Sequence, residues 1–100
     1  MDFNEAFGLA VQALRLSKGL TQKDFLGFLS IQYLSDIERG KRTPSIAVLA
    51  QICDRLEVHE AVPMIMAKHF MRPSEPLTHA LQVIEKQLYE AGFIDPCSNA

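Results

Sequence analysis

The run GLTQKDFLGFLSIQYLSDIERGKRTPS, Gly19 to Ser45, decides how this chain folds. It opens on Gly19, a helix stop, and Thr21, a helix cap, with Gln22 and Lys23 in the turn that follows. Phe25, Leu26, Phe28 and Leu29 supply an apolar face, so a short second helix is expected to end near Phe28. Ser30 reads as the next N-cap, and Leu29 and Leu34 flank it at the spacing of a hydrophobic staple. A third helix, Ile31 to Arg39, is expected to close at Gly40 in the left-handed conformation. Leu34 and Ile37 face its core side by spacing. Lys41-Arg42-Thr43-Pro44 then forms a basic loop.

Outward from this run the signals stay helical. A first helix is expected from Asn4 to Ser17, capped by Asp2 or Asn4, with Phe3, Phe7, Ala10, Val11 and Leu14 on one face. Ser45 caps a fourth helix that turns Ile46, Val48, Leu49, Ile52, Cys53 and Leu56 inward. Pro63 is tolerated only in a first turn, so a fifth helix starts near Glu60 or Ala61 and ends by Met71. Arg72-Pro73-Ser74-Glu75-Pro76 reads as a linker. A sixth helix, about Glu75 to Ala91 and capped by Ser74, is expected to end at Gly92 with Phe93 packed on Leu88. The expected divisions are a globular unit over 1–71, a linker and last helix over 72–92, and a loose tail over 93–100.

The whole chain of 100 residues is enough for one modest core. Apolar residues at 48% and charged residues at 22% are ordinary for a globule and exclude a disordered chain. The net charge of −2 offers no global attraction to nucleic acid or to an acidic membrane, so such binding must come from a local patch. Two cysteines, Cys53 and Cys97, make no disulfide framework, and a reducing, cytoplasmic setting is expected. No apolar stretch approaches the about 18 residues of a membrane span, and the acidic start lacks the basic region of a signal peptide. His59, His69 and His79 are ten apart and share no zinc-ligand spacing, so no metal or cofactor is expected. There is no Gly-rich phosphate loop and no nucleophile elbow, which argues against an enzyme.

Two short helices joined by a tight turn, with a basic loop after the second, point to a helix-turn-helix. Gly19-Leu20-Thr21-Gln22-Lys23-Asp24-Phe25 and Tyr33-Leu34-Ser35-Asp36-Ile37-Glu38-Arg39-Gly40-Lys41-Arg42-Thr43-Pro44-Ser45 resemble the Xre family of helix-turn-helix regulators. Phe7-Gly8 with Val11, Leu14 and Arg15 matches that family's first helix, and Leu49 with Leu56-Glu57-Val58 its fourth. The resemblance implies an all-α, lambda-repressor-like five-helix domain, here with an extra C-terminal helix. It also implies a structural ion pair between Arg15 and Glu38. The family has about two more residues between its Thr-Gln pair and its Glu-Arg-Gly, and a small residue where Leu26 stands. Its turn glycine has no clean counterpart, because Gly27 falls too early.

In that frame the exposed start of the third helix is the base-reading segment, with Ser30, Ile31, Gln32, Ser35 and Asp36 as candidates. Gln32 suits adenine, Ile31 a thymine methyl, and Asp36 the amino group of cytosine. Gln22, Lys23, Tyr33, Arg39, Lys41 and Arg42 are the candidate phosphate contacts. Between Arg15 and Arg42 the basic residues Arg15, Lys18, Lys23, Arg39, Lys41 and Arg42 outnumber the acidic Asp24, Asp36 and Glu38, a local surplus against an acidic remainder.

Leu77, Leu81, Ile84, Leu88 and Ala91 step by 4, 3, 4 and 3 along the last helix, a heptad-like seam. It serves either a two-fold dimer or a fold-back onto the first and fifth helices, and the dimer is preferred because a pseudo-palindromic operator needs two reading heads. The expected function is a bacterial or phage-encoded repressor that binds double-stranded operator DNA as a homodimer, with a protein antagonist or toxin as a further partner. The rival reading is a protein-interaction module or antitoxin-like partner whose shortened helix-turn-helix has lost or weakened DNA readout.

Overall fold

A computed structural model describes residues 1–93. Its order is α1 (Phe3–Ser17), a 3-10 turn (Gln22–Phe25), α2 (Ile31–Glu38), α3 (Ile46–Leu56), α4 (Ala61–Met71) and α5 (Leu77–Glu90). Among the described residues there is no strand, and the all-α expectation holds. No helix among them is long and apolar enough to cross a membrane. The expectations for Ile94 to Ala100, Cys97 included, lie outside the described residues.

α1 is the central element, packed on α4 along one side and on α2 along another. It starts one residue earlier than expected because Asp2 is the cap. The Asp2 carboxylate accepts from the Glu5 amide at 2.8 Å, and Glu5 accepts from the Asp2 amide at 3.1 Å, a reciprocal capping box. Ala6, Ala10 and Val11 are fully buried, and Ala67 of α4 is likewise buried, so small side chains permit close helix approach. Gly8 sits where α1 meets the end of α2. A Cβ built there would clash with the Ile37 carbonyl oxygen and lie 2.7 Å from that of Glu38, so only glycine fits this crossing. Phe7, Phe25, Leu34, Ile37, Ile52 and Leu56 complete the core around it.

The second helix is not an α-helix. One 3-10 turn is followed by Leu26 in an extended conformation and Gly27 at φ 112°. Phe25 and Leu29 are both buried, as i,i+4 neighbours on one helix face would be, but Gly27 at positive φ breaks the run and the Ser30 cap opens α2 two residues after Phe28, which leaves no room for further α turns. Gly27 is therefore the turn glycine after all, since its φ is the kind that L side chains rarely adopt. Leu26 and Phe28, expected inward, are 56% and 37% exposed.

Ile46 is also corrected. It is 87% exposed, because the inward stripe of α3 is set by Ile52, Cys53 and Leu56 about two to three turns later. α5 begins at Leu77 with Pro76 as its N-cap and no side-chain cap from Ser74. Residues before a proline are pushed away from helical dihedrals, so Glu75 cannot open the helix. At its other end Gly92 (φ 87°) makes the expected Schellman ending, with the Phe93 amide donating to the Leu88 carbonyl at 2.9 Å. The Phe93 ring does not pack back, and stays 77% exposed.

Candidate nucleic-acid interface

The reading segment is held from behind by one buried ion pair. Arg15 Nε donates to Glu38 Oε2 at 2.7 Å and Nη2 to Oε1 at 3.0 Å, and Nη1 donates to the Leu20 carbonyl at 3.0 Å. The Glu38 hydrogen bonds hold the Arg15 guanidinium above its ordinary value, against the opposing effect of burial. α1, the turn after it and the end of α2 are thereby locked together, as the family resemblance implied.

Local caps set the ends of the two connecting elements. Asp24 accepts from both the Thr21 amide (2.7 Å) and the Thr21 hydroxyl (3.1 Å) and so closes the 3-10 turn. These two bonds, helped by the charge of Arg55, hold the Asp24 carboxyl below its usual range. Arg55 of α3 also donates to the Asp24 carbonyl at 3.1 Å and braces the turn from the far side. Ser30 caps α2, accepting from the Tyr33 amide at 3.0 Å. α2 ends at Gly40 (φ 74°), where the Lys41 amide reaches back to the Asp36 carbonyl at 2.8 Å. The basic loop that follows is tied to α1 by Thr43, whose hydroxyl donates to Asn4 at 2.7 Å.

α2 thus turns Leu34, Ile37 and Glu38 inward and presents Ile31, Gln32 and Arg39 to solvent, with Ser35 and Asp36 half-buried between them. Gln32, Asp36 and Arg39 form one ridge: Asp36 Oδ1 accepts from Gln32 Nε2 at 2.9 Å and from Arg39 Nη2 at 3.0 Å. Tyr33 is half-buried against the core, and the Arg42 guanidinium lies 4.6 Å from its ring centroid. Gln22 is half-buried at the head of the 3-10 turn, and its amide donates to Glu38 Oε1 at 3.3 Å. A single turn carries little macrodipole, so the helix-dipole argument for Gln22 does not apply. Lys18, Lys23, Lys41 and Arg42 are exposed and enter no ion pair among the described residues. The local cationic surplus is therefore available to a polyanion, whereas Arg15 is consumed inside and Arg39 is paired.

Sequence reasoning left out the Asp36–Arg39 and Gln32–Asp36 bonds, although their i,i+3 and i,i+4 spacings were readable. It also missed the Arg55 brace, which joins residues distant in sequence and leaves no local signal. Cys53 is buried in the core, and burial pushes its thiol up, as for an inert cysteine. Leu77, Leu81, Ile84 and Leu88 are 40–50% exposed, and Ala91 is exposed too. None of the residues of α5 is buried, and His79, Ala80, Val83 and Ile84 face Met64, Ile65 and Lys68 of α4 across a cleft.

The helix-turn-helix family model HTH_3 matches residues 11–62, which span the buried pair, the turn, α2 and α3. The transcriptional regulator ClgR of Mycobacterium tuberculosis is 35% identical over 78 residues, covering 76% of this chain and 70% of that protein. The HTH-type transcriptional regulator y4dJ of Sinorhizobium fredii is 41% identical over 61 residues, covering 58% of this chain and 78% of that protein. Two crystal structures of the clp gene regulator ClgR from Corynebacterium glutamicum superpose with TM-scores of 0.67 and 0.69 at 33% and 28% identity. The first covers 71% of this chain and 95% of its own, the second 94% and 98%. These likenesses run through the segment whose geometry is described above, and the chain belongs to the Xre-type helix-turn-helix family of DNA-binding transcriptional regulators.

Proposed function

We propose that this regulator is a repressor that binds a pseudo-palindromic operator as a homodimer, with residues 31–39 in the major groove. The observation that carries the reading is the outward ridge of α2, flanked by the exposed cations Lys23, Lys41 and Arg42 that have no carboxylate partner among the described residues. Ser30, Ile31, Gln32, Ser35 and Asp36 are the proposed base readers, and Gln22, Lys23, Tyr33, Lys41 and Arg42 the proposed phosphate contacts. Tyr33 acts mainly as the platform that fixes Arg42. Residues 1–71 form the reading unit, and 72–92 join two copies through Leu77, Leu81, Ile84, Leu88 and Ala91. A 14-residue helix with no buried residue, whose seam residues Leu77, Leu81, Ile84 and Leu88 stay 40–50% exposed, supports this assignment. Bound across a promoter, such a dimer excludes polymerase.

Selection of duplexes from a random pool at moderate salt tests the proposal. The relatives described as clp gene regulators make clp promoter DNA the first defined target to set beside the pool. A two-fold symmetric site with half-sites roughly 34 Å apart is expected. Gln32→Ala is expected to cost about 1–3 kcal/mol on that site and to relax one base position. Leu81→Glu with Leu88→Glu is expected to give monomers by light scattering and single half-site binding. Folded protein that enriches no sequence would refute operator reading, and a surviving dimer would place the interface elsewhere.

A further inference from the structure

The ridge of α2 contains an apparent contradiction, a carboxylate placed in the middle of a surface meant for phosphates and base edges. Its surroundings resolve it. Asp36 is the less exposed member of its pair, with its side chain 22% exposed against 51% for Arg39. One oxygen, Oδ1, accepts from both Arg39 at 3.0 Å and Gln32 at 2.9 Å. The other, Oδ2, makes no hydrogen bond among the described residues.

We propose that Asp36 is the positioning residue of the reading face: it orients the Gln32 amide, and Arg39 is its built-in counter-ion rather than a phosphate contact. The inference rests on the operator-reading proposal above. One N–H of the Gln32 amide is held by Asp36, which leaves its oxygen and its second N–H outward, the pair that matches adenine N6 and N7. An unconstrained Gln amide can present either end, so the tie to Asp36 fixes which end faces the base. Without Arg39 the carboxylate would meet the DNA as a bare like charge. The cationic contacts that hold the backbone are then Lys23, Lys41 and Arg42, not Arg39.

A double-mutant cycle on the full chain, Asp36→Asn and Arg39→Gln, tests this by fluorescence anisotropy. The probes are the duplex selected by the wild type and its single-base-pair variants, each titrated over a range of salt. Arg39→Gln is expected to weaken binding about tenfold on every duplex, and to cost little in the Asp36→Asn background, a coupling within the range for contacting residues. Asp36→Ala, which removes the acceptor for the Gln32 amide, is expected to flatten the preference at the base pair read by Gln32. Asp36→Glu, which keeps the charge, is expected to retain the coupling to position 39. Equal losses from Arg39→Gln in both backgrounds, with the salt slope down by about one unit, would make Arg39 a phosphate contact and overturn the inference. So would an unchanged base preference in Asp36→Ala. A wild-type chain that selects no duplex would overturn operator reading and this inference together; a selecting wild type with an additive cycle overturns this inference alone.

Discussion

Replacing Arg15 by Met tests what holds the reading helix in place. Its side chain is 11% exposed and that of Glu38 only 2%, so the pair lies out of water. The substitution removes both bonds to Glu38, at 2.7 and 3.0 Å, and the bond to the Leu20 carbonyl. What remains for the buried carboxylate is the Gln22 amide at 3.3 Å, a long bond from a neutral donor. A buried charge stripped of its partner costs about 3–5 kcal/mol. Typical domains are stable by about 5–15 kcal/mol, so Arg15→Met is expected to shift the urea midpoint far down, and on a marginal domain to unfold it. The double variant Arg15→Met/Glu38→Leu removes the stranded charge and is expected to recover most of the loss, because apolar replacement of a buried pair is often neutral. The assay is urea unfolding followed by circular dichroism, with the slope compared across variants. A loss under about 1 kcal/mol for Arg15→Met is the value of a surface pair and would refute the burial argument. A double variant as unstable as the two singles summed would refute the stranded-charge mechanism.

Gly8→Ala is expected to destabilise by about 1–3 kcal/mol or more in the same assay, because its Cβ meets the α2 backbone rather than a movable side chain; a neutral result would mean the helices separate freely. Glu57 is the sole non-glycine with positive φ among the described residues, at 59°, and Glu57→Gly is expected to stabilise by about 0.5–1 kcal/mol, the left-handed penalty less the entropy of glycine. A lower melting temperature would contradict this. Asp24 has a folded pKa below its ordinary 3.8, so its contribution is fully present above that value and is lost as pH falls through the folded pKa. Wild type and Asp24→Asn should therefore differ in stability at neutral pH and converge below pH 3.8, and a constant difference in urea melts down to acid would remove Asp24 from the turn's support.

The chain's local signals were sufficient for most element ends. Asp2, Ser30 and Ser45 cap because each is a short polar side chain beside free amides, and Gly19, Gly40 and Gly92 stop helices because each takes a positive φ. The ridge residues were readable too, since Leu34 and Ile37 fix which side of α2 faces the core. The second helix was not. Phe25 and Leu29 have the i,i+4 spacing of one helix face and both are buried, yet Leu26 is extended and Gly27 takes a positive φ between them: spacing shows which side chains can share a face, and only the packing shows which backbone joins them. Ile46 failed for the same reason: hydrophobicity says that a side chain prefers burial, and only the packing says whether a neighbour is there to cover it.

By itself the sequence determined the all-α class, the caps and the motif, which rest on residue spacing along the chain, and the cationic surplus between Arg15 and Arg42, because a charge count needs no fold. Tertiary structure alone decided that Arg15 is spent on Glu38, 23 residues away, and that Arg42 lies over the Tyr33 ring with no carboxylate partner among the described residues, whereas the Arg39–Asp36 pair lies within reach of local spacing. It also decided that α5 buries none of its residues. Net charge and heptads are sums over the chain, whereas a free cation or an exposed seam is defined by what the fold brings, or does not bring, to within contact distance.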